Sequence, residues 1–400
     1  MKFFSLREGV PGFLAAGIAA GIKKNGARDL GLLLSVKPCV AAGVFTKNRV
    51  KAAPVLVCKK RLQKGIAQAV LVNSGNANAC TGKDGLNAAL LTCKEAAHGL
   101  GIPEHLVLPC STGVIGVPLP AMAIKKALPQ LIKSASKKGI PDFAEAIMTT
   151  DTFPKVEVAT CRLKGTMVKV CGMVKGAGMI RPNMATMLSF LVTDGHVKAT
   201  GLRRMLRQAA EVSYHCITID GETSTNDTVL LLANGKADHP AIDVMSRDGK
   251  TFQAMLSEVC QNLAKNVVKD GEGATKFVEI AVKGARDRED AKKAAYAIAH
   301  SPLVKTAFFG EDANWGRILC ALGHSGAKVN PDKVDLFFDR APIVKKGMGV
   351  GGHAEMRAGH VFKKKSFQVT VDLHLGKSDF TVFTTDFSFD YVKVNASYRS

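Results

Sequence analysis

The sequence predicts an α+β fold, a layered α/β sandwich of two lobes. Strand-like and helix-like blocks intermix without the regular alternation of a doubly wound sheet, and the text from Val334 onward is mostly strand-like. At 400 residues the chain exceeds what one hydrophobic core usually serves. Hydrophobic residues make up 46% and charged residues 22%, so a large core is available and wholesale disorder is excluded.

Short β-rich runs at Leu32–Val36, Val44–Thr46, Val55–Cys58 and Ala69–Asn73 predict strands, with Gly and Asn between them. Leu86, Ala89, Leu90, Cys93 and Ala97 recur at helical spacing until Gly99 and Gly101 stop them. Further helices are expected over 119–136 and 143–148. Strands follow at Val156–Ala159, Met167–Met173 and Leu188–Val192. The second half predicts helices over 201–213, 251–267 and 287–300, with strands at Val229–Leu232 and Phe277–Val282. Phe367–Leu373 and Phe380–Thr384 close the chain as alternating strands.

The formal net charge of +21 invites a nucleic-acid reading. Aromatic residues are only 6%, and the basic residues scatter among strands instead of forming a recognition helix or stacking platform, so no nucleic acid is expected as partner. None of the ten cysteines forms a C-x-x-C pair, and most stand in apolar runs, which reads as buried thiols of a reducing compartment. The apolar run Gly12–Ala20 resembles an export signal only superficially, because Glu8 interrupts the charged region before it, Pro11 opens it and Lys23-Lys24 close it without a cleavage context. The expectation is a cytoplasmic protein with no membrane span. No HExxH or Cys/His cluster and no complete phosphate-binding fingerprint occurs, so neither a metal nor a bound nucleotide or other cofactor is expected.

Four polar segments, three of them glycine-bearing, stand where strands or helices end. They are Asn73-Ser74-Gly75-Asn76-Ala77-Asn78, Ser111-Thr112-Gly113-Val114-Ile115-Gly116, Thr149-Thr150-Asp151-Thr152 and Asp220-Gly221-Glu222-Thr223-Ser224-Thr225-Asn226-Asp227. Each can present hydroxyls, amides and backbone N–H groups to a small polar ligand, and each taken singly reads as an Asx or Ser/Thr turn. A sharper passage runs from Lys175-Gly176-Ala177-Gly178 through Pro182-Asn183-Met184-Ala185-Thr186 to Leu188. Spacing alone reads it first as a Gly-rich turn entering a buried strand. The second reading is a strained peptide bond whose carbonyl the next hydroxyl can attack.

Together with Gly271-Glu272-Gly273-Ala274-Thr275-Lys276 and Phe309-Gly310-Glu311-Asp312-Ala313-Asn314-Trp315-Gly316-Arg317, these segments closely resemble the bacterial arginine-biosynthesis acetyltransferases, the ornithine acetyltransferase or glutamate N-acetyltransferase family. The resemblance covers nearly the whole chain. It implies the layered fold of those self-cleaving enzymes, with a cut between Ala185 and Thr186 that leaves an α segment 1–185 and a β segment 186–400. It also implies a heterotetramer of two of each.

In the resembled family Thr186 is the nucleophile. Its hydroxyl takes acetyl from N2-acetylornithine and passes it to glutamate, and its freed amine, with an unperturbed pKa of roughly 7.7 to 8.0, serves as base. By motif position Thr112 and Gly113 resemble the oxyanion-hole pair, and Thr152, Lys175, Thr186, Glu272, Asn395 and Ser400 the substrate-binding set. A carboxylate such as Glu272 suits the amines of ornithine, and Lys175 suits an α-carboxylate. Without the resemblance, Glu272 and Lys175 read as exposed loop residues and the last six residues as a frayed tail.

Three departures stand out: Ala177 where the family often has Ser, Tyr214-His215-Cys216 where Phe-Asn is commoner, and Glu222 where Asp is usual. Ala177 bears on the rate of self-cutting. The rival within threonine-nucleophile chemistry is an amidase or aminopeptidase that gives the acyl group to water. Acetyl-CoA is an alternative donor in part of the family, and no residue decides its use here.

Overall fold

The computed structural model describes residues 9–181 and 187–397. These form two compact units, residues 9–215 with 222–267, and residues 216–221 with 268–397.

Along the first unit run β1 (Phe13–Ile18), β2 (Leu30–Phe45), α1 (Ala53–Arg61), β3 (Ile66–Asn76), α2 (Gly82–Leu100), β4 (Val107–Val114), α3 (Ala121–Ser134) and α4 (Ile140–Ala146). They continue with β5 (Lys155–Leu163), β6 (Thr166–Lys175), β7 (Leu188–Thr193), α5 (Ala199–Glu211), β8 (Thr228–Ala233) and α6 (Arg247–Lys269). Among the described residues the strands make one mixed sheet ordered β4-β3-β2-β8-β7-β6-β5, with β1 on β2. Only β3/β4 and β7/β8 pair in parallel.

The 16-residue β2 has three neighbours. Leu30–Ser35 pair with β1 and Leu30–Leu34 with β3; beyond the exposed Val36-Lys37-Pro38, Cys39 and Val40 resume the β3 pairing in a shifted register, and Val40–Phe45 pair with β8. Pro38 has no N–H to give, which suits it to an irregularity in the ladder. β7 and β8 are buried along their whole length, as near-continuous apolar strands are when both faces are covered. Phe143 of α4 packs edge-on to Phe190 of β7, ring centroids 5.3 Å apart. On another side of the sheet Leu30, Leu32 and Leu71 pack with Cys93, Ala97, Ile124 and Leu128 of α2 and α3.

The second unit contains β9 (Phe277–Ala285), α7 (Arg288–His300), α8 (Pro302–Phe309), α9 (Trp315–Gly323), β10 (Asp335–Phe338) and β11 (Ala341–Lys345). It ends with β12 (Met348–Gly349), α10 (Gly352–Phe362), β13 (Ser366–Asp372), β14 (Ser378–Thr385) and α11 (Phe389–Ala396). Its sheet runs β12-β11-β10-β13-β9-β14, with β9 and β13 parallel. The alanine stripe Ala291, Ala294, Ala295 and Ile298 of α7 shares a core with Val278, Ile280 and Val282 of β9. Asp287 and Ser301 cap α7 and α8 through side-chain bonds to Asp290 and Val304 N–H groups.

The α+β expectation holds. Val55–Cys58 is helix and not strand: Pro54 sits in the first turn, where its missing N–H costs nothing, and Lys59, Lys60 and Arg61 favour the C-terminal end of the dipole. The short helices α8 and α9 lie where the sequence predicts no element, and α10 and α11 lie in the stretch expected to be mostly strands. Among the described residues no helix is long and apolar enough to cross a membrane. Seven cysteines are buried, Cys161 is half-buried, and Cys80 and Cys320 are exposed. Burial pushes the thiols of Cys39, Cys93, Cys171 and Cys260 up to about 12.

The compact units are a different partition from segments 1–185 and 186–400. Residues on both sides of that boundary belong to the first unit, where β6 and β7 pair antiparallel from Val170 opposite Thr193 to Lys175 opposite Leu188. Ala185 and Thr186 themselves lie outside the described residues.

Candidate active site

Two of the polar segments are strand ends. β3 and β4 run parallel with Asn73 opposite Ser111, Ser74 opposite Thr112 and Gly75 opposite Gly113. The Ser111 hydroxyl donates to Asn73 Oδ1 at 2.6 Å, and Asn73 Nδ2 donates to the Asn76 carbonyl at 2.8 Å. Gly113 has φ +133°, a conformation that favours glycine, and a Cβ there would stand 2.3 Å from the Gly75 carbonyl carbon. Strand pairing continues to Val114, so the polar backbone at Thr112 and Gly113 is held rigidly and not left to a loose turn.

Lys175 ends β6 inside the protein, at 2% exposure. Its Nζ donates to Thr149 Oγ1 at 2.5 Å and lies 3.4 Å from Thr112 Oγ1. Asp151 is buried beside it and shared between two lysines, with Lys155 Nζ at 2.7 Å and Lys175 Nζ at 3.9 Å. Its carboxylate also accepts the Gly176 N–H at 2.7 Å and the Thr149 N–H at 3.0 Å. Burial would raise the Asp151 carboxyl, but the charges of Lys175 and Lys155 and the Gly176 N–H outweigh it and hold it at about 2. The carboxylate therefore stays ionised and fixes the turn that presents Thr149 to Lys175.

The segment from Thr223 to Thr228 stitches this region together. Asn226 Nδ2 donates to the carbonyls of Ala77 at 2.6 Å and Ser111 at 2.8 Å. Asp227 is fully buried and accepts the Met187 N–H at 3.1 Å, while the Thr228 N–H bonds the Met187 carbonyl at 3.1 Å. Burial raises the Asp227 carboxyl well above the usual carboxylate range, partly opposed by the Met187 N–H.

In the second unit, Glu272 Oε2 accepts from Asn395 Nδ2 at 2.9 Å, which ties the loop after α6 to α11. Gly273, at φ +64°, lets that loop approach α11: a Cβ there would be 2.3 Å from the Tyr391 nitrogen. The Ser388 hydroxyl caps α11 and donates to the Gly273 carbonyl at 2.5 Å.

The structure thus brings together Thr112, Gly113 and Lys175 within the first unit, and Glu272 with Asn395 within the second. Thr152 is exposed, directly after the buried Asp151. Thr186, Ala185 and Ser400 lie outside the described residues. Sequence reading assigned no role to Asp151, Asn226 or Asp227, although each belongs to a segment it singled out. Among the described residues no group of three or more His, Cys, Asp or Glu is placed to hold a metal ion.

Hydroxyls, side-chain amides and ammonium groups converging at the ends of β3, β4 and β6 define a layered α+β enzyme suited to small polar molecules. The ArgJ family model matches residues 14–400. The Arginine biosynthesis bifunctional protein ArgJ of Geobacter sulfurreducens is 53% identical over 391 residues, covering 98% of this chain and 100% of its own. Its counterpart in Syntrophotalea carbinolica is 51% identical over 393 residues, covering 98% and 99%. A crystal structure of the Arginine biosynthesis bifunctional protein argJ from Bacillus halodurans is 37% identical, with a TM-score of 0.51, and covers 53% of this chain and 100% of that one. The chain belongs to the ArgJ family.

Proposed function

We propose that the protein transfers the acetyl group of N2-acetylornithine to glutamate through an acetyl ester on Thr186. The single observation that carries this reading is the Lys175 ammonium set against the Thr112 and Thr149 hydroxyls beside the fixed backbone of Gly113. Family membership supports it, since the relatives are named for arginine biosynthesis.

In the first half-reaction the Thr186 Oγ attacks the acetyl carbonyl carbon, a C–O bond forms, and the C–N bond to ornithine breaks as its nitrogen takes up a proton. In the second, the amine of glutamate attacks the ester, the C–O bond breaks, and the proton returns to the threonine oxygen. Both pass through a tetrahedral oxyanion that needs fixed donors. The Gly113 N–H and the Thr112 hydroxyl are assigned that role. The cationic Lys175 beside the Thr112 oxygen polarises that hydroxyl toward donating its proton outward.

The base is the amine of Thr186, which exists only after the chain is cut between Ala185 and Thr186. The Bacillus halodurans chain supports a divided molecule: it is matched in full by 53% of this chain, whereas the curated relatives match end to end. After such a cut, the β6/β7 pairing would keep segments 1–185 and 186–400 together. Thr152, Lys175, Glu272, Asn395 and Ser400 are assigned to substrate binding. The reading extends to a heterotetramer of two of each segment, to acetyl-CoA as an alternative donor, and to no other cofactor.

Intact mass and exchange assays test this together. The wild type should give two species, beginning at residues 1 and 186, and should move labelled acetyl from acetylornithine to glutamate; Thr186→Ala should stay whole and inactive. Full activity in an uncut wild type, or acetate as the main product, overturns the reading. Acetyl-CoA with glutamate in the same assay decides the alternative donor, and native mass decides the assembly.

A further inference from the structure

A cavity of about 720 Å³ opens in the first unit beside the cluster just described, lined among others by Lys23, Arg28, Gln130, Glu145, Thr149 and Asp151. Two of these, Thr149 and Asp151, are the partners of Lys175. The size is that of a small-molecule site. None of the residue roles assigned above uses Lys23 or Arg28.

Lys23 is held in place by a built device. Asp29 is fully buried, and its carboxylate accepts the backbone N–H groups of Ala20 at 2.6 Å, Ile22 at 2.6 Å and Lys23 at 2.8 Å. Three N–H groups on one carboxylate lock the turn over 20–23 against β2. The turn lays the Lys23 side chain over Gly75, where an added methyl group would stand 3.2 Å from Lys23 Cγ. The glycine at the β3 end thus makes room for this lysine and for Ile22, whereas the missing side chain of Gly113 makes room for Gly75 itself.

The charges around Lys23 are unevenly matched. Arg28 is engaged by Asp142 at 3.1 Å and Glu145 at 2.5 Å, and Asp151 is shared by Lys155 and Lys175. Lys23 Nζ donates one hydrogen to the Arg28 carbonyl at 2.7 Å, which leaves two of its three for a ligand. Burial lowers its pKa from the ordinary lysine value; Asp29 opposes that, the positive charge of Lys175 adds to it, and Asp151 opposes it in turn. Lys23 and Lys175 therefore feel each other's field across the Thr149 and Asp151 end of the cavity.

Lys23 on the cavity wall, with the Lys175 ammonium behind Thr149 and Asp151 of that wall, suits a ligand that carries two carboxylates. Resting on the acetyl-transfer reading, we propose that Lys23 is a specificity-determining residue that receives the second carboxylate of an acidic amino-acid acceptor. Lys175 meets one carboxylate and Lys23 the other. Glutamate satisfies both, and its amide glutamine satisfies one.

The test compares glutamate and glutamine as acceptors of labelled acetyl from acetylornithine, in the wild type, Lys23→Gln and Lys23→Arg. Lys23→Gln should lower kcat/KM for glutamate by about 10- to 100-fold and for glutamine by less than about 3-fold, the loss of one charged hydrogen bond. Lys23→Arg should recover most of the glutamate preference. A glutamate-to-glutamine ratio unchanged by Lys23→Gln overturns the assignment. A second measurement needs no variant: glutarate should inhibit the wild type at least about 10-fold more tightly than its monoamide, and equal inhibition also overturns it. A wild type that moves no acetyl to any acceptor instead sinks the acetyl-transfer reading beneath it.

Discussion

Gly75 and Gly113 face each other across the parallel β3/β4 pair so closely that a methyl group on Gly113 would meet the Gly75 carbonyl carbon at 2.3 Å. The approach fixes the direction of the Gly113 N–H, because neither strand end can move without breaking the Asn73–Ser111 and Asn226–Ser111 bonds. Gly113→Ala must shift backbone, at about 1 to 3 kcal/mol of stability, and it misaims the donor. Thr112→Ala leaves the backbone intact. It should lower kcat about 10² to 10³-fold with KM nearly constant, and Thr112→Ser should recover most of that. Steady-state kinetics beside thermal melts separate the two variants.

The Asp151–Lys155 pair is buried on both sides, so its two changes of charge are not equivalent. The folded carboxyl, held at about 2, sits below its usual 3.8. A depressed carboxyl stabilises the fold above pH 3.8, and that stabilisation is lost as pH falls toward 2. The loss amounts to about 2 kcal/mol. Asp151→Asn should abolish this acid-dependent part and lower stability at pH 7 by about 3 to 5 kcal/mol, because Lys155 keeps its charge without its counterion. Urea midpoints from pH 2.5 to 7 report both effects.

Much of this site was legible in the sequence as chemistry but not as geometry. Thr112, Gly113 and Lys175 were found by motif, and the structure places them together. Asp151 was visible only as part of Thr149-Thr150-Asp151-Thr152, since nothing local says that a carboxylate will be buried between two lysines from β5 and β6. Lys23 looked like the polar end of an apolar run. Its position depends on Asp29 and on an empty Gly75, and both relations are long-range in space although short in words. The α1 misreading has a different origin: Val55-Leu56-Val57-Cys58 has the composition of a strand, and Pro54 with three basic residues at the far end overrode it.

Glu272 and Asn395 offer a case where binding and stability should separate. The pair is 2.9 Å apart on a half-buried loop and an exposed helix face, so its weight in folding is small. Glu272→Gln and Asn395→Ala should change stability by less than about 0.5 kcal/mol. If Glu272 meets an amine of the donor, Glu272→Gln should raise KM for acetylornithine about 10-fold or more. A melt as stable as wild type together with an unchanged KM would remove Glu272 from the binding set.

Lys305 is fully buried in the second unit, where its ammonium donates to Thr384 Oγ1 at 3.1 Å, Thr385 Oγ1 at 3.2 Å and the Thr385 carbonyl, and lies 4.5 Å from the Phe387 ring centroid. Burial pulls its pKa down to about 7, with Asp386 and Asp220 opposing. The unfolded chain keeps this proton up to 10.5, so between pH 7 and 10.5 the unfolded state binds more protons than the folded one. Stability must then rise with pH across that window, the reverse of what a salt-bridged lysine gives. From pH 7 to 9.5 the gain is about 3 kcal/mol. Lys305→Met removes the titrating group while keeping its length in the core, so the difference between its urea midpoints and those of the wild type should shrink or reverse at pH 7 and change by that amount at pH 9.5. Parallel pH profiles for the two proteins would show that Lys305 stays charged in its pocket, held by the Thr384 and Thr385 oxygens.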